Sequence, residues 1–186
     1  MSIARKLHYT YEEYLEIERR SDVRHEYLQG EIYAMAGGTP EHAFLAGQVI
    51  ALLARAIAPG CRVASSDLKV SVESSGLYTY PDASVVCGPF ARDSRDPNAL
   101  TNPALLVEVT SSSTEDYDRE AKLAAYQTIP ALRVVIFVSH RAPRLTLVSR
   151  TAEGWQTSEF ERGATLTLAD PATELEVDAV YAVVAS

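Results

Sequence analysis

The chain is poor in the features that would tie it to a metal scaffold, a membrane or a polyanion coat. Its two cysteines, Cys61 and Cys87, form no Cys-x-x-Cys pair, so neither a zinc ribbon nor a redox motif is indicated, and both read as reduced core thiols. The four histidines, His8, His25, His42 and His140, show no metal-ligand spacing and support no zinc site. No run approaches the roughly 18 apolar residues that span a bilayer, and the start MSIARKLHYTYEEYLEIERR lacks an apolar signal region. A cytoplasmic protein without a membrane partner is expected. Basic residues are outnumbered 17 to 25, which gives a net charge of −8 and argues against bulk attraction to polyanions. That balance still allows a cation site, because clustered carboxylates lower the pI while a local basic surface meets phosphate.

What is present is a foldable core. Of 186 residues 47% are hydrophobic and 23% charged, spread evenly, without internal repeats or linkers, so a single domain over 1–186 is expected. Thr10 three residues before Glu13 has capping-box spacing and predicts a helix to about residue 20. Alternation over 23–35 around Gln29-Gly30 predicts a hairpin. Thr39-Pro40 opens a second helix, to about residue 58, whose apolar residues recur every three or four positions. Strands are expected at 61–65, 67–73, 79–87 and 104–110, and a third helix at 114–128. A meander is expected at 132–139, 143–149, 155–160 and 164–168, and a short helix at 178–184. The segment 88–103, with four charges and three prolines, reads as a mobile surface loop. The order of elements predicts a mixed α/β, α+β-like domain around one sheet.

Glu108 is the most informative residue, because it interrupts Leu105-Leu106-Val107-Glu108-Val109 in what should be the most buried strand. A carboxylate there must be paired, protonated or cation-bound, unless the strand lies at an edge or an arginine meets it. Asp82 raises the same question in Tyr80-Pro81-Asp82-Ala83-Ser84-Val85-Val86, against the alternative of an ordinary turn residue. In the third helix Glu115, Asp118, Lys122 and Tyr126 share one face, so Lys122 either makes an exposed pair with Asp118 or turns its ammonium to the end of the Glu108 strand. Glu26 adds a carboxylate if its hairpin lies beside these strands; otherwise it is a solvated strand residue. Ser111-Ser112-Ser113 lacks a nucleophile-elbow setting and reads as a cap or turn. Arg62, Lys69, Arg92, Arg95 and Arg119 would suit a phosphate-facing rim, or are scattered solvated charges.

Pro81-Asp82, Glu108 in an apolar strand and Lys122 in the next helix resemble the PD-(D/E)XK nuclease superfamily. Together with TYEEYLEI, RHEYLQGEIYAMAGGTPEH, YPDASVV, LLVEVTSSST and DREAKLAAYQ they resemble its Uma2 (DUF820) branch of restriction-endonuclease-like proteins, over about residues 9–184. One departure stands out: Thr110 occupies the position where the usual Glu-x-Lys has its lysine, which Lys122 would replace from the helix. The resemblance implies a restriction-endonuclease-like core with a mixed central sheet flanked by helices. It implies that Asp82, Glu108 and the carbonyl of Val109 ligate Mg²⁺, with Mn²⁺ as a substitute. Lys122 would position or polarise the attacking water, and Glu26 would support metal or water. His42 matches a histidine often found in the pattern. The expected activity is metal-dependent hydrolysis of DNA by a homodimer; the alternative is a non-catalytic nucleic-acid-binding or protein-interaction module on the same fold.

Overall fold

A computed structural model describes residues 8–35, 37–111 and 118–184. Helix α1 (Tyr11–Arg20) opens with the capping box its sequence predicts: Glu13 N–H donates to Thr10 Oγ1 at 3.2 Å, and Thr10 N–H donates to Glu13 Oε2 at 2.7 Å. Strands β1 (His25–Leu28) and β2 (Glu31–Ala34) then pair around Gln29 and Gly30, whose φ values of 48° and 91° make a primed two-residue turn. Gly30 has a second reason to be glycine, since a Cβ there would lie 1.7 Å from the His8 ring. Thr39 caps helix α2 (Pro40–Ala56), with Pro40 in the first turn.

The chain next makes β3 (Cys61–Ser65), β4 (Lys69–Val72), β5 (Leu77–Thr79), β6 (Ala83–Cys87), β7 (Ala99–Leu100) and β8 (Leu105–Val109). A π-type turn, Asp118–Lys122, runs into helix α3 (Leu123–Tyr126). Strands β9 (Val134–Val138), β10 (Arg144–Thr151), β11 (Gly154–Glu161), β12 (Thr165–Ala169) and β13 (Ala172–Glu176) precede helix α4 (Val177–Tyr181). The mixed α/β class stands, but the single sheet does not. Five strands form one sheet in the order β2-β1-β5-β4-β7, six form another in the order β11-β10-β9-β8-β6-β3, and β12-β13 is a separate hairpin.

The expected strand at 79–87 is two strands in different sheets, β5 in the first and β6 in the second. Pro81 lies between them, and without an N–H it cannot continue a ladder. In the six-stranded sheet β8 pairs antiparallel with β6 and parallel with β9, and every residue of β8 and β9 is buried. Leu105, Val107 and Val109 enter one core with Leu45, Val49 and Leu53 of α2. On the opposite face Leu106 joins Tyr126, Phe137 and the five-stranded sheet's Val70, Val72 and Leu77. The Glu108 strand is therefore internal, and an edge position is excluded.

Two further expectations are corrected. Cys61 and Cys87 stand directly opposite each other in the β3–β6 register and are joined as a disulfide, so they are not reduced thiols. The segment 88–103 is anchored rather than loose. Asp93, 2% exposed, accepts hydrogen bonds from Ser71 Oγ, Tyr78 Oη and the N–H groups of Arg95 and Asp96. Burial pushes its carboxyl up, but these donors outweigh burial and hold it below its ordinary value. Asp96 pairs with Lys69 at 3.0 Å, and the Lys69 ammonium lies over the rings of Tyr14 and Tyr80. Tyr11, Tyr14, Tyr27 and Tyr78 pack together beside this pair, with Tyr11 and Tyr78 stacked at 4.0 Å.

Reduction of the Cys61–Cys87 bridge, which closes a loop of sequence separation 26, is expected to lower the unfolding free energy by roughly 2–4 kcal/mol, measured by denaturant titration with and without dithiothreitol. A second expectation concerns alkali. Burial holds Tyr11, Tyr14, Tyr80 and Tyr126 well above the ordinary value of 10.0. The unfolded chain ionises near that value and the folded chain does not, so stability is unaffected below it and falls as pH rises beyond it. Phenolate absorbance and circular dichroism should then change together, whereas ionisation well before unfolding would contradict the buried arrangement.

Candidate active site at the junction of two sheets

The peptide that leaves β5 and enters β6 carries Tyr80, Pro81 and Asp82 from one sheet to the other. The β6–β8 pairing ends at Ala83 and Val107, and Asp82 stands one residue beyond it. Asp82 Oδ2 accepts the Val109 N–H at 2.7 Å, which fastens Asp82 to the end of β8. The bond is charge-assisted and serves an N–H that the strand's last paired residues leave to this side chain. His42, in the first turn of α2, places Nε2 3.5 Å from the same oxygen.

Glu108 is 4% exposed and Lys122 6%. The carboxylate receives a hydrogen bond from Tyr126 Oη at 2.6 Å and faces the Lys122 ammonium at 3.6 Å. Lys122 Nζ also meets Glu26 Oε1 at 2.8 Å, and Thr79 Oγ1 donates to that oxygen. Glu26 belongs to β1 of the five-stranded sheet and Glu108 to β8 of the six-stranded sheet, so one ammonium bridges the two. Burial is the chief reason the Tyr126 hydroxyl is held far above its usual range, with the Glu108 charge adding to it. Tyr126 therefore stays a donor to Glu108 across the physiological range.

Of the four expected side chains, Glu26, Glu108 and Lys122 are joined in one buried network, while Asp82 is held by the N–H of the next residue of β8, Val109, and by His42. The exposed Asp118–Lys122 alternative is replaced by a buried contact with two glutamates; Glu115, Ser112 and Ser113 lie outside the described residues, and of Asp118 only the backbone is described. Thr110, in the place of the usual lysine, is buried and its Oγ1 lies 3.0 Å from His140 Nδ1. Tyr126 was visible four residues beyond Lys122 on the same helix face, but its bond to Glu108 was not read from that spacing. Thr79 left no signal. Of the basic residues considered for a rim, Lys69 is buried on Asp96, Arg119 lies over Phe137, Arg95 over Tyr11 and Arg62 over Phe90, and Arg92 donates to the Pro97 carbonyl.

Comparison with known proteins shows the family. The Uma2 family model, described as "Putative restriction endonuclease", matches residues 11–180. The chain belongs to the Uma2 family. An uncharacterized protein of Synechocystis sp. is 36% identical over 172 residues, which are 91% of this chain and 90% of that protein. A second uncharacterized Synechocystis protein is 32% identical over 127 residues, 68% of this chain and 72% of that one. The crystal structure of a "putative nuclease belonging to DUF820" from Anabaena variabilis superposes with a TM-score of 0.75 at 15% identity, covering 92% and 96% of the two chains, a likeness of fold. The Uma2 chain is thereby placed among restriction-endonuclease-like proteins. None of its described helices is long and apolar enough to cross a membrane.

Among the described residues no group of three or more His, Cys, Asp and Glu side chains is gathered closely enough to hold a metal ion unaided. Asp82 and Glu108 carry carboxylate oxygens. Carboxylate oxygens are hard donors, the kind that an ion keeping most of its shell as water, such as Mg²⁺, takes in ones and twos.

Lys122→Met should destabilise the Uma2 chain by about 3–5 kcal/mol, because two buried carboxylates lose their counter-charge. Adding Glu108→Gln to that variant should recover part of the loss, as a double-mutant cycle by thermal and urea unfolding would show. Additive costs would mean that the two residues are not coupled.

Proposed function

We propose that this chain is a metal-dependent endonuclease that hydrolyses DNA phosphodiester bonds. The observation that carries the reading is the shared ammonium of Lys122, held between Glu108 of the central strand and Glu26 of the neighbouring sheet, with Asp82 bound to the N–H of the residue after Glu108. Asp82, Glu108 and the Val109 carbonyl would hold Mg²⁺ or Mn²⁺, which when bound supplies Lewis acidity and a more acidic water. Tyr126 fixes one oxygen of Glu108, and the Val109 N–H fixes one oxygen of Asp82, so neither carboxylate has to reorganise to receive charge. Lys122 orients the attacking water and counters negative charge developing on the phosphorus oxygens. Glu26 holds the Lys122 ammonium in place. No covalent intermediate with the protein is required, and a two-fold dimer would present one site to each strand of a duplex.

Supercoiled plasmid incubated with Mg²⁺ or Mn²⁺ should be nicked or linearised, and EDTA should stop the reaction. Asp82→Asn should lower the rate at least a hundredfold, a loss of about 2.7 kcal/mol of transition-state stabilisation. Unbroken plasmid at every metal concentration, with folded protein, would refute the reading. A second reading, a non-catalytic binding module, draws on the neutralisation of Glu108 by Lys122 and Tyr126. It requires DNA or partner binding that survives Asp82→Asn and a melting temperature indifferent to metal.

A further inference from the structure

A cavity of about 410 Å³ adjoins the junction and takes no part in the chemistry described above. Its walls come from four places in the chain: the start of α2, the β9–β10 turn, the β11–β12 turn and α4. The floor is apolar, made of Leu45, Pro143, Tyr181 and Val184. Tyr181 is held in place, because its one hydroxyl hydrogen is shared between the carbonyls of Ser139 and Arg144, at 2.7 and 2.9 Å. Arg141 and Arg162 stand at the rim with Glu41 as the acidic residue of the lining. A lining with two arginines and one carboxylate departs from a chain whose net charge is −8.

Two histidines tie the cavity to the site. His42 lines it and reaches Asp82 at 3.5 Å; His140 lines it and meets Thr110, the residue after Val109, at 3.0 Å. Whatever occupies the cavity is therefore next to whatever is bound at Asp82 and Val109. An apolar floor, a cationic rim and this volume fit a molecule with a flat apolar body and an anionic edge. A nucleotide has that form, and its base can reach such a floor only when it is unpaired.

We infer that this cavity receives an unpaired nucleotide flanking the phosphodiester bound at Asp82, so that the chain engages single-stranded or locally opened DNA in preference to intact duplex. The base lies over Pro143, and Arg162 meets the adjoining phosphate. Glu41 is placed to accept from an exocyclic amine at the base edge, the kind of contact that distinguishes bases. The inference rests on the nuclease reading only for the identity of the polymer.

Fluorescence anisotropy in EDTA separates binding from cleavage. The wild-type chain should bind a single-stranded deoxyoligonucleotide roughly tenfold more tightly than the same sequence fully paired, the size of one base stacked on an apolar platform. Ala142→Trp, at an exposed position of the lining, fills the cavity and should remove that preference. Arg162→Ala, on an exposed turn, should weaken single-strand binding more than duplex binding, and decides the matter alone if the tryptophan variant fails to fold. Equal affinity for the two forms, or a preference that survives the substitutions in folded protein, overturns the inference. Metal-dependent plasmid cleavage without strand preference would sink the cavity assignment and leave the nuclease reading standing. A strand preference without cleavage would support the cavity and count against the nuclease.

Discussion

The structure depends on how one buried carboxylate is neutralised. Glu108 lies in the middle of a six-stranded sheet, where an unpaired charge would cost several kcal/mol. Lys122 and Tyr126 answer it from the helix that follows, and Glu26 and Thr79 answer Lys122 from the other sheet. The need to satisfy Glu108 thus ties together β8, the turn into α3, β1 and β5. A hydrophobic residue at position 108 would pack with Leu106 and Phe137 without needing these partners.

The crossing at Pro81 and Asp82 is the second constraint. A strand that stayed in one sheet would keep Asp82 beside residues of its own ladder. Because Pro81 interrupts the ladder, the chain changes sheets there and Asp82 reaches the N–H of Val109. The five-stranded sheet is in turn held by tyrosines around the Lys69–Asp96 pair. That pair and the hydrogen-bonded Asp93 anchor the segment between β6 and β8, so the two strands that carry Asp82 and Glu108 are joined by an ordered connection.

The local features were legible in the sequence because their causes are local. Thr10 and Glu13 cap α1 across three residues, Gln29-Gly30 sets the β1–β2 turn, and Thr39-Pro40 opens α2. The oddity of Glu108 was also legible, since a single charge interrupts an otherwise continuous apolar run. Its meaning was less so. Spacing along the helix put Lys122 and Tyr126 on one face, but an exposed pair with Asp118 satisfied the same spacing.

The amino-acid sequence by itself determined the capped helices, the central apolar strand, the residues that would be costly to bury and, through their order, the family. Only the tertiary structure decided that 79–87 divides between two sheets, that Cys61 meets Cys87, that 88–103 is pinned by Asp93 and Asp96, and that Lys122 is buried between Glu26 and Glu108. The difference is one of range. Propensity, capping and periodicity act within a few residues, whereas the partner of a buried charge or a thiol is chosen by how distant strands align, and many alignments are compatible with the same local pattern.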